Sequence, residues 1–194
     1  MQRVSVAGAL VSLLIAFVAG CAMLASPEWS ENFALEATLN VPEMNDGSMY
    51  SSGKTQPAVY IRGERADDSR YTDVLVTFKE PKDVRKITIR RRSEDNTPVD
   101  VNVFAMMNEE WKLISDATRG ADKDDVNILI RAKTDKLRIR SQRATRTAGG
   151  KTAINRSGDG GNRRRQIESI LREPIKYAEV EVYGLKPKTE ATES

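Results

Sequence analysis

From Val74 to Ile139 the chain alternates. Val74, Val76 and Phe78 stand beside Leu75 and Thr77; Val84, Ile87 and Ile89 stand among Lys86, Thr88 and Arg90. Val99, Val101, Val103 and Ala105 likewise alternate with Asp100, Asn102 and Phe104. Successive side chains of a strand point to opposite faces, so a period of two makes a sheet with one apolar face and one polar face. Turn-forming clusters punctuate these runs at Lys79–Lys82, Ser93–Pro98, Asn108–Glu110 and Ser115–Asp125. Trp111–Ile114, Val126–Ile130, Leu137–Ile139 and a closing run Tyr177–Tyr183 complete the set. Phe33–Val41 and Val59–Ile61 come before it, although Leu35 and Leu39 also fit a helical turn. Short strands this close together, with no helix between them, exclude a parallel sheet, whose crossovers need a dozen or more residues. The pattern predicts an all-β fold, an antiparallel β-sandwich of about eight or nine strands. Its core is expected at Val74, Val76, Phe78, Ile87, Ile89, Val101, Val103, Trp111, Leu113, Ile128, Ile130, Ile139, Val180 and Val182.

One segment breaks the pattern. Ile167, Ile170 and Leu171 fall at i, i+3 and i+4 within Arg163–Glu173, and Pro174 follows, which predicts a short helix packed on the sandwich. It ends a basic insertion over residues 141–174. From Arg131 to Arg165 there are twelve Lys/Arg and two acids, giving +10, while the rest of the chain after residue 20 carries −8. Arg163, Arg164 and Arg165 stand where the helix would begin, an unfavourable place for cations, yet guanidinium groups beside free N–H groups suit an anion. With Arg143 and Arg146 they form a candidate anion site; the alternative is a solvated basic loop. Gly149-Gly150-Lys151-Thr152 is not a phosphate loop, because Thr145 stands where that motif needs glycine.

At the other end, Arg3 precedes an apolar run from Val4 to Ala19, and Val18-Ala19-Gly20 leads into Cys21, the only cysteine. A basic start, an apolar core of this length and small residues before a cut site read as a secretory signal. The alternative, a membrane-spanning helix, sits at the lower edge of the length a bilayer needs. The motif is similar to the lipobox of bacterial lipoproteins. That resemblance implies that residues 1–20 are removed, that Cys21 is lipidated, and that the protein is anchored in the cell envelope. Ala22, in place of aspartate, implies the outer membrane. Residues 21–32 then form a tether, 33–184 the folded domain and 185–194 a polar tail.

Composition narrows the chemistry. The chain has no histidine, which excludes Ser-His-Asp and Cys-His catalysis and the usual zinc sites. Two carboxylates could still act as a hydrolytic pair, but no other residue supports that reading, and no catalytic residue is assigned.

The order of motifs resembles the discoidin-type, galactose-binding-like jelly roll. The resemblance rests on an early Asn45-Asp46-Gly47 turn, Val76-Thr77-Phe78-Lys79-Glu80-Pro81, and Val101-Asn102-Val103-Phe104 followed by Glu110-Trp111. It closes on Ala178-Glu179-Val180-Glu181-Val182-Tyr183-Gly184. It implies a structural Ca²⁺ held by Asp46 and Glu179 with oxygens near Ser48, a donor set that suits a hard cation. Otherwise Asp46 is a turn former and Glu179 an exposed strand residue. A galactose-type pocket is not carried over: the chain is only 6% aromatic, Trp111 matches a framework position, and Tyr50, Tyr60 and Tyr71 fit loop positions and half-buried packing equally well.

The function expected from these features is non-catalytic: an envelope lipoprotein binding a glycan or other anionic envelope component through the sandwich and its basic insertion. Polysaccharide, lipopolysaccharide or an acidic protein are the partners in view, and nucleic acid is not expected in that compartment. The alternative is an accessory subunit docking on an outer-membrane or secreted protein. The N-terminal reading predicts that the membrane form has the intact mass of the chain from Cys21 plus acyl groups; a soluble product retaining residues 1–20 would contradict it.

Overall fold

The structure, a computed structural model, describes residues 27–58, 71–91, 98–121, 125–144 and 169–187. Cys21, Arg146, Arg163–Arg165 and the strand expected at Val59–Ile61 lie outside the described residues.

The described chain forms nine strands in antiparallel pairs. They are β1 (Thr38–Leu39), β2 (Gly53–Lys54), β3 (Gln56–Pro57), β4 (Thr72–Arg90), β5 (Val99–Met107), β6 (Glu110–Ala121), β7 (Asp125–Arg143), β8 (Lys176–Tyr177) and β9 (Glu179–Tyr183). The main sheet runs β1-β4-β7-β5-β6, with β3 and β9 also on β4, while β2 and β8 pair separately. Ser169–Arg172 are helical, with Leu171 buried, so the described part of the expected Arg163–Glu173 helix takes that form.

The longest ladder joins β4 to β7, both of 19 residues. The turn expected at Lys79–Lys82 is not a turn between two strands. The strand continues through it, and pairing jumps from Thr77↔Lys136 to Lys82↔Thr134. Pro81 falls in the extra stretch, where its missing N–H costs no ladder bond. A second shift, between Val84 and Lys86, changes which parity faces inward, so that Val84, Ile87 and Ile89 are all buried. On β7 the inward set changes from Val126, Ile128, Ala132 and Thr134 to Leu137 and Ile139. Thr134 sits at that change: its hydroxyl accepts from Lys136 N–H at 3.1 Å and donates to the Met106 carbonyl at 2.9 Å. The reading of Val126–Ile130 and Leu137–Ile139 as two strands is corrected to one strand with a capped inflection.

The leading segment also differs from expectation. Phe33–Glu36 is a 3-10 turn, and only Thr38–Leu39 of the expected Phe33–Val41 strand pairs. Asparagine side chains do the rest of the pinning. Asn32 Oδ1 accepts from Ala34 and Val182 N–H at 3.0 and 2.8 Å, and Asn40 Oδ1 accepts from Leu75 N–H at 2.8 Å. Asn45 Nδ2 donates to the Ala34 and Ala37 carbonyls. These amides satisfy backbone groups that a short edge strand would leave open.

One core cluster gathers side chains of β4, β5, β7 and β9 with Leu39, Val41, Met44, Ile175 and Tyr177. Tyr177 is fully buried and donates its hydroxyl proton to Ser141 Oγ at 2.8 Å, which removes the cost of burying the group. Three expected core residues fall short of burial. Leu113 is 51% exposed and Trp111 only half-buried, because β6 is the last strand of the sheet path and its register on β5 shifts three times. Ile130 is also only partly buried. Ile139→Ala should therefore cost about 2–5 kcal/mol in chemical unfolding. Leu113→Ala should stay within about 0.5 kcal/mol.

Candidate functional site

The Asp46 turn meets the closing strand. Gly47 has φ +74°, a left-handed conformation that glycine adopts without strain. The turn directs the Gly47 N–H to Glu179 Oε1 at 3.3 Å. Asp46 Oδ1 accepts from Ser48 N–H and from Ser51 Oγ, both at 2.8 Å, and Ser51 Oγ also lies 3.0 Å from the Ser48 carbonyl. Ser48 Oγ accepts from Tyr50 N–H at 3.2 Å. Glu179, 133 positions from Asp46 in sequence, thus meets the turn through the Gly47 N–H, while the serine hydrogen bonds converge on Asp46 and the Ser48 carbonyl.

Glu179 is the unusual member. It is 3% exposed, and its Oε2 is buried without a hydrogen-bond partner. Burial raises its pKa; the Gly47 N–H opposes that shift, while the charges of Asp46 and Glu181 add to it. A buried carboxylate oxygen left unpaired costs free energy unless a cation or proton takes it up. Among the described residues no three carboxylates or other ligating side chains gather in one cluster. The oxygens at the turn are those of Asp46, Glu179, Ser48 and Ser51, with only two acidic side chains among them. Oxygen is the donor type a hard cation such as Ca²⁺ takes, and a full shell of about six to eight would need loop carbonyls or water besides these side chains.

A second charged group is built on the residue directly opposite Glu179. Arg90, paired with Glu179 in the β4–β9 ladder, grips Glu181 with Nε and Nη2 at 2.7 and 3.2 Å and Asp125 with Nη1 at 2.6 Å. Tyr183 donates its hydroxyl to Glu181 Oε2, and burial first, then that bond, pushes its pKa up to about 12. The carboxylate neighbouring Glu179 is thus neutralised by arginine, and Glu179 is not.

The basic stretch is divided by the structure. Arg143 is buried, and its Nε and Nη2 donate to the Glu173 and Pro174 carbonyls at 3.2 and 3.1 Å, so this member of the expected anion site ties β7 to the segment before β8. Arg140 forms a bidentate pair with Asp73 at 2.9 and 3.0 Å, with Arg138 Nε 3.7 Å from the same carboxylate. The Arg138 guanidinium lies 4.3 Å from the Trp111 ring centroid. This buried network has no local signature: Asp73 and Arg140 lie 67 positions apart, and Arg138-Ile139-Arg140 reads in sequence as a solvated strand face. Arg131 and Lys133 remain exposed on β7.

Antiparallel pairing, a single core and one short helix define an antiparallel β-sandwich of the jelly-roll class. No protein-family profile and no curated protein matches the chain. Among solved structures, SpGH29 is similar over 80% of this chain, with TM-score 0.51 and 12% identity. Truncated AlyQ with CBM32 and alginate lyase domains is similar over 84%, with TM-score 0.51 and 6% identity. The family 32 CBM from C. perfringens NanJ, in complex with galactose, matches 79% of this chain and 98% of its own length, with TM-score 0.47 and 15% identity. This chain spans 28% of SpGH29 and 35% of the AlyQ chain. At these identities the likeness is one of fold.

The raised pKa of Glu179 gives a sign to test. Without a cation, ionising this buried group costs stability above its folded pKa, and the cost vanishes below the unfolded value. In chelator, Glu179→Gln should therefore melt higher than the parent at about pH 7, and the gap should close by about pH 3.5. A variant that melts lower at neutral pH would show that Glu179 is stabilising as the bare anion.

Proposed function

We propose that the protein is a lipid-anchored, non-catalytic binding module of the bacterial cell envelope, attached through Cys21 and facing a glycan or other anionic envelope component. The observation that carries this reading is the charge division, +10 between Arg131 and Arg165 against −8 in the rest of the chain after residue 20. Three of the twelve cations, Arg138, Arg140 and Arg143, are buried within the fold. The contact with an anion is assigned to Arg146 and Arg163–Arg165, with Arg131 and Lys133 on the exposed side of β7. The sandwich supports glycan recognition in general, since it shares its fold with a chain described as carrying a CBM32 domain. SpGH29 and the alginate lyase are much longer chains, and no activity is carried over from them.

Ca²⁺ enters this reading as a structural ion. Asp46, Glu179 and the oxygens of Ser48 would hold it, and the unpartnered Oε2 of Glu179 is what favours a cation there. When bound it would fasten the turn to β9 and cancel the cost of the buried carboxylate. The hydrogen bonds that would support it are those from Gly47 to one oxygen of Glu179 and from Ser48 and Ser51 to Asp46.

Exposed charges are screened as the Debye length falls from about 10 Å at 0.1 M salt to about 3 Å at 1 M. Binding of the protein to purified envelope, or to isolated acidic polymer, should fall steeply over that range. Replacing Arg163, Arg164 and Arg165 together by alanine should flatten the salt dependence while leaving the melt unchanged or slightly higher. Equal binding and an equal salt slope in the triple variant would reduce the insertion to a solvated loop. Docking on a protein partner would then become the better account.

A further inference from the structure

A cleft of about 270 Å³ opens between the 3-10 turn at Phe33–Glu36 and the stretch of β4 where pairing breaks. Phe33, Glu36, Phe78, Lys79, Glu80 and Lys82 line it. Its volume lies just below the usual range of small-molecule sites, room for one ring or one amino-acid-sized molecule.

The walls are held in place. The Phe33 ring packs so closely on Gly184 that a Cβ there would sit 3.0 Å from the ring and 2.9 Å from the Asp83 carbonyl, so residue 184 has to lack a side chain. Lys82 is fixed twice, with its ammonium 5.5 Å from the Phe33 centroid and 2.6 Å from Glu80. That hydrogen bond, and then the charge of Lys82, hold the Glu80 carboxyl below its ordinary range. Glu80 and Lys82 thus neutralise each other. Glu36 and Lys79 do not: both are exposed, and neither has an ion pair or side-chain hydrogen bond among the described residues.

An apolar wall with one free carboxylate and one free ammonium restricts the ligand. A simple anion meets Glu36, a simple cation meets Lys79, and a neutral sugar leaves both charges unanswered. A ligand carrying both charges answers both, and complementary charges select partners even where each pair adds little affinity. We infer that this cleft binds a small zwitterion of the amino-acid or dipeptide class, its ammonium toward Glu36, its carboxylate toward Lys79 and its apolar side chain on Phe33. This site is separate from the basic insertion and does not depend on the anionic-glycan reading.

The test is a calorimetric titration of the detergent-solubilised full chain with alanyl-leucine, its N-acetyl form and its C-terminal amide. The parent protein should bind the zwitterion saturably and each blocked form about threefold more weakly, the scale of an exposed ion pair. Glu36→Gln should lose the preference over the N-acetyl form and keep the preference over the amide. Lys79→Met should do the reverse. Both side chains are exposed, so the folds should survive, and equal melts check that. No saturable binding at millimolar dipeptide, equal affinity for all three forms, or preferences unchanged in the variants would each overturn the site. Envelope binding by the same variants should match the parent, so that failure here and failure of the glycan reading remain distinguishable.

Discussion

The β4–β7 ladder is the constraint on which the rest of the structure depends. Among the described residues it is the longest pairing, joining two 19-residue strands, and every other strand of the main sheet except β6 hydrogen-bonds to one of its members. Its two register breaks are as consequential as its regular parts. The break between Thr77 and Lys82 makes the wall of the cleft, and the one between Val84 and Lys86 lets Ile87 and Ile89 point inward. With that parity set, β9 pairs so that Glu179 falls beside Arg90 and within reach of the Gly47 N–H.

Charge is distributed according to what each interior position can satisfy. Asp73 is buried with Arg140 and Arg138, and Arg90 is shared between Glu181 and Asp125. Such pairs specify register more than they stabilise, since desolvation offsets much of their attraction. Glu179 is different in kind. It is buried with a single backbone donor and with another carboxylate for a neighbour. The fold tolerates this group at a cost that a proton or a bound cation would remove.

Much of the sheet was legible because burial follows a period of two. Val74, Val76, Ile87, Ile89, Val101, Val103, Ile139, Val180 and Val182 are all fully or nearly fully buried, as their alternation implies. What alternation could not reveal is where a strand bends without ending. Pro81 sits in an expected turn and a polar gap parts Val126–Ile130 from Leu137–Ile139, but a bulge absorbs the first and the Thr134 hydroxyl caps an inflection in the second. Nor does it tell a central strand from the last one: on β6, Ile114 and Ala121 pack against the core while Leu113 faces out. Of the candidate sites, the turn at Asp46 meets Glu179 through the Gly47 N–H, whereas Arg143 turns inward onto two carbonyls. The Asp73–Arg140 network and the Phe33 cleft depend on contacts between distant segments and leave no local pattern in the sequence.

The claim that joins sequence, fold and chemistry most tightly is that the Asp46 turn and Glu179 form an oxygen-lined cation site. Calcium titration of the metal-stripped full chain by calorimetry tests it directly. The account predicts saturable binding of one Ca²⁺ per chain, abolished by Asp46→Asn and by Glu179→Gln. It also predicts a melting temperature that rises with free Ca²⁺ as RT ln(1 + [L]/Kd), about 2.7 kcal/mol at a hundredfold excess over Kd. No binding at millimolar Ca²⁺, or binding that survives both substitutions, would contradict it.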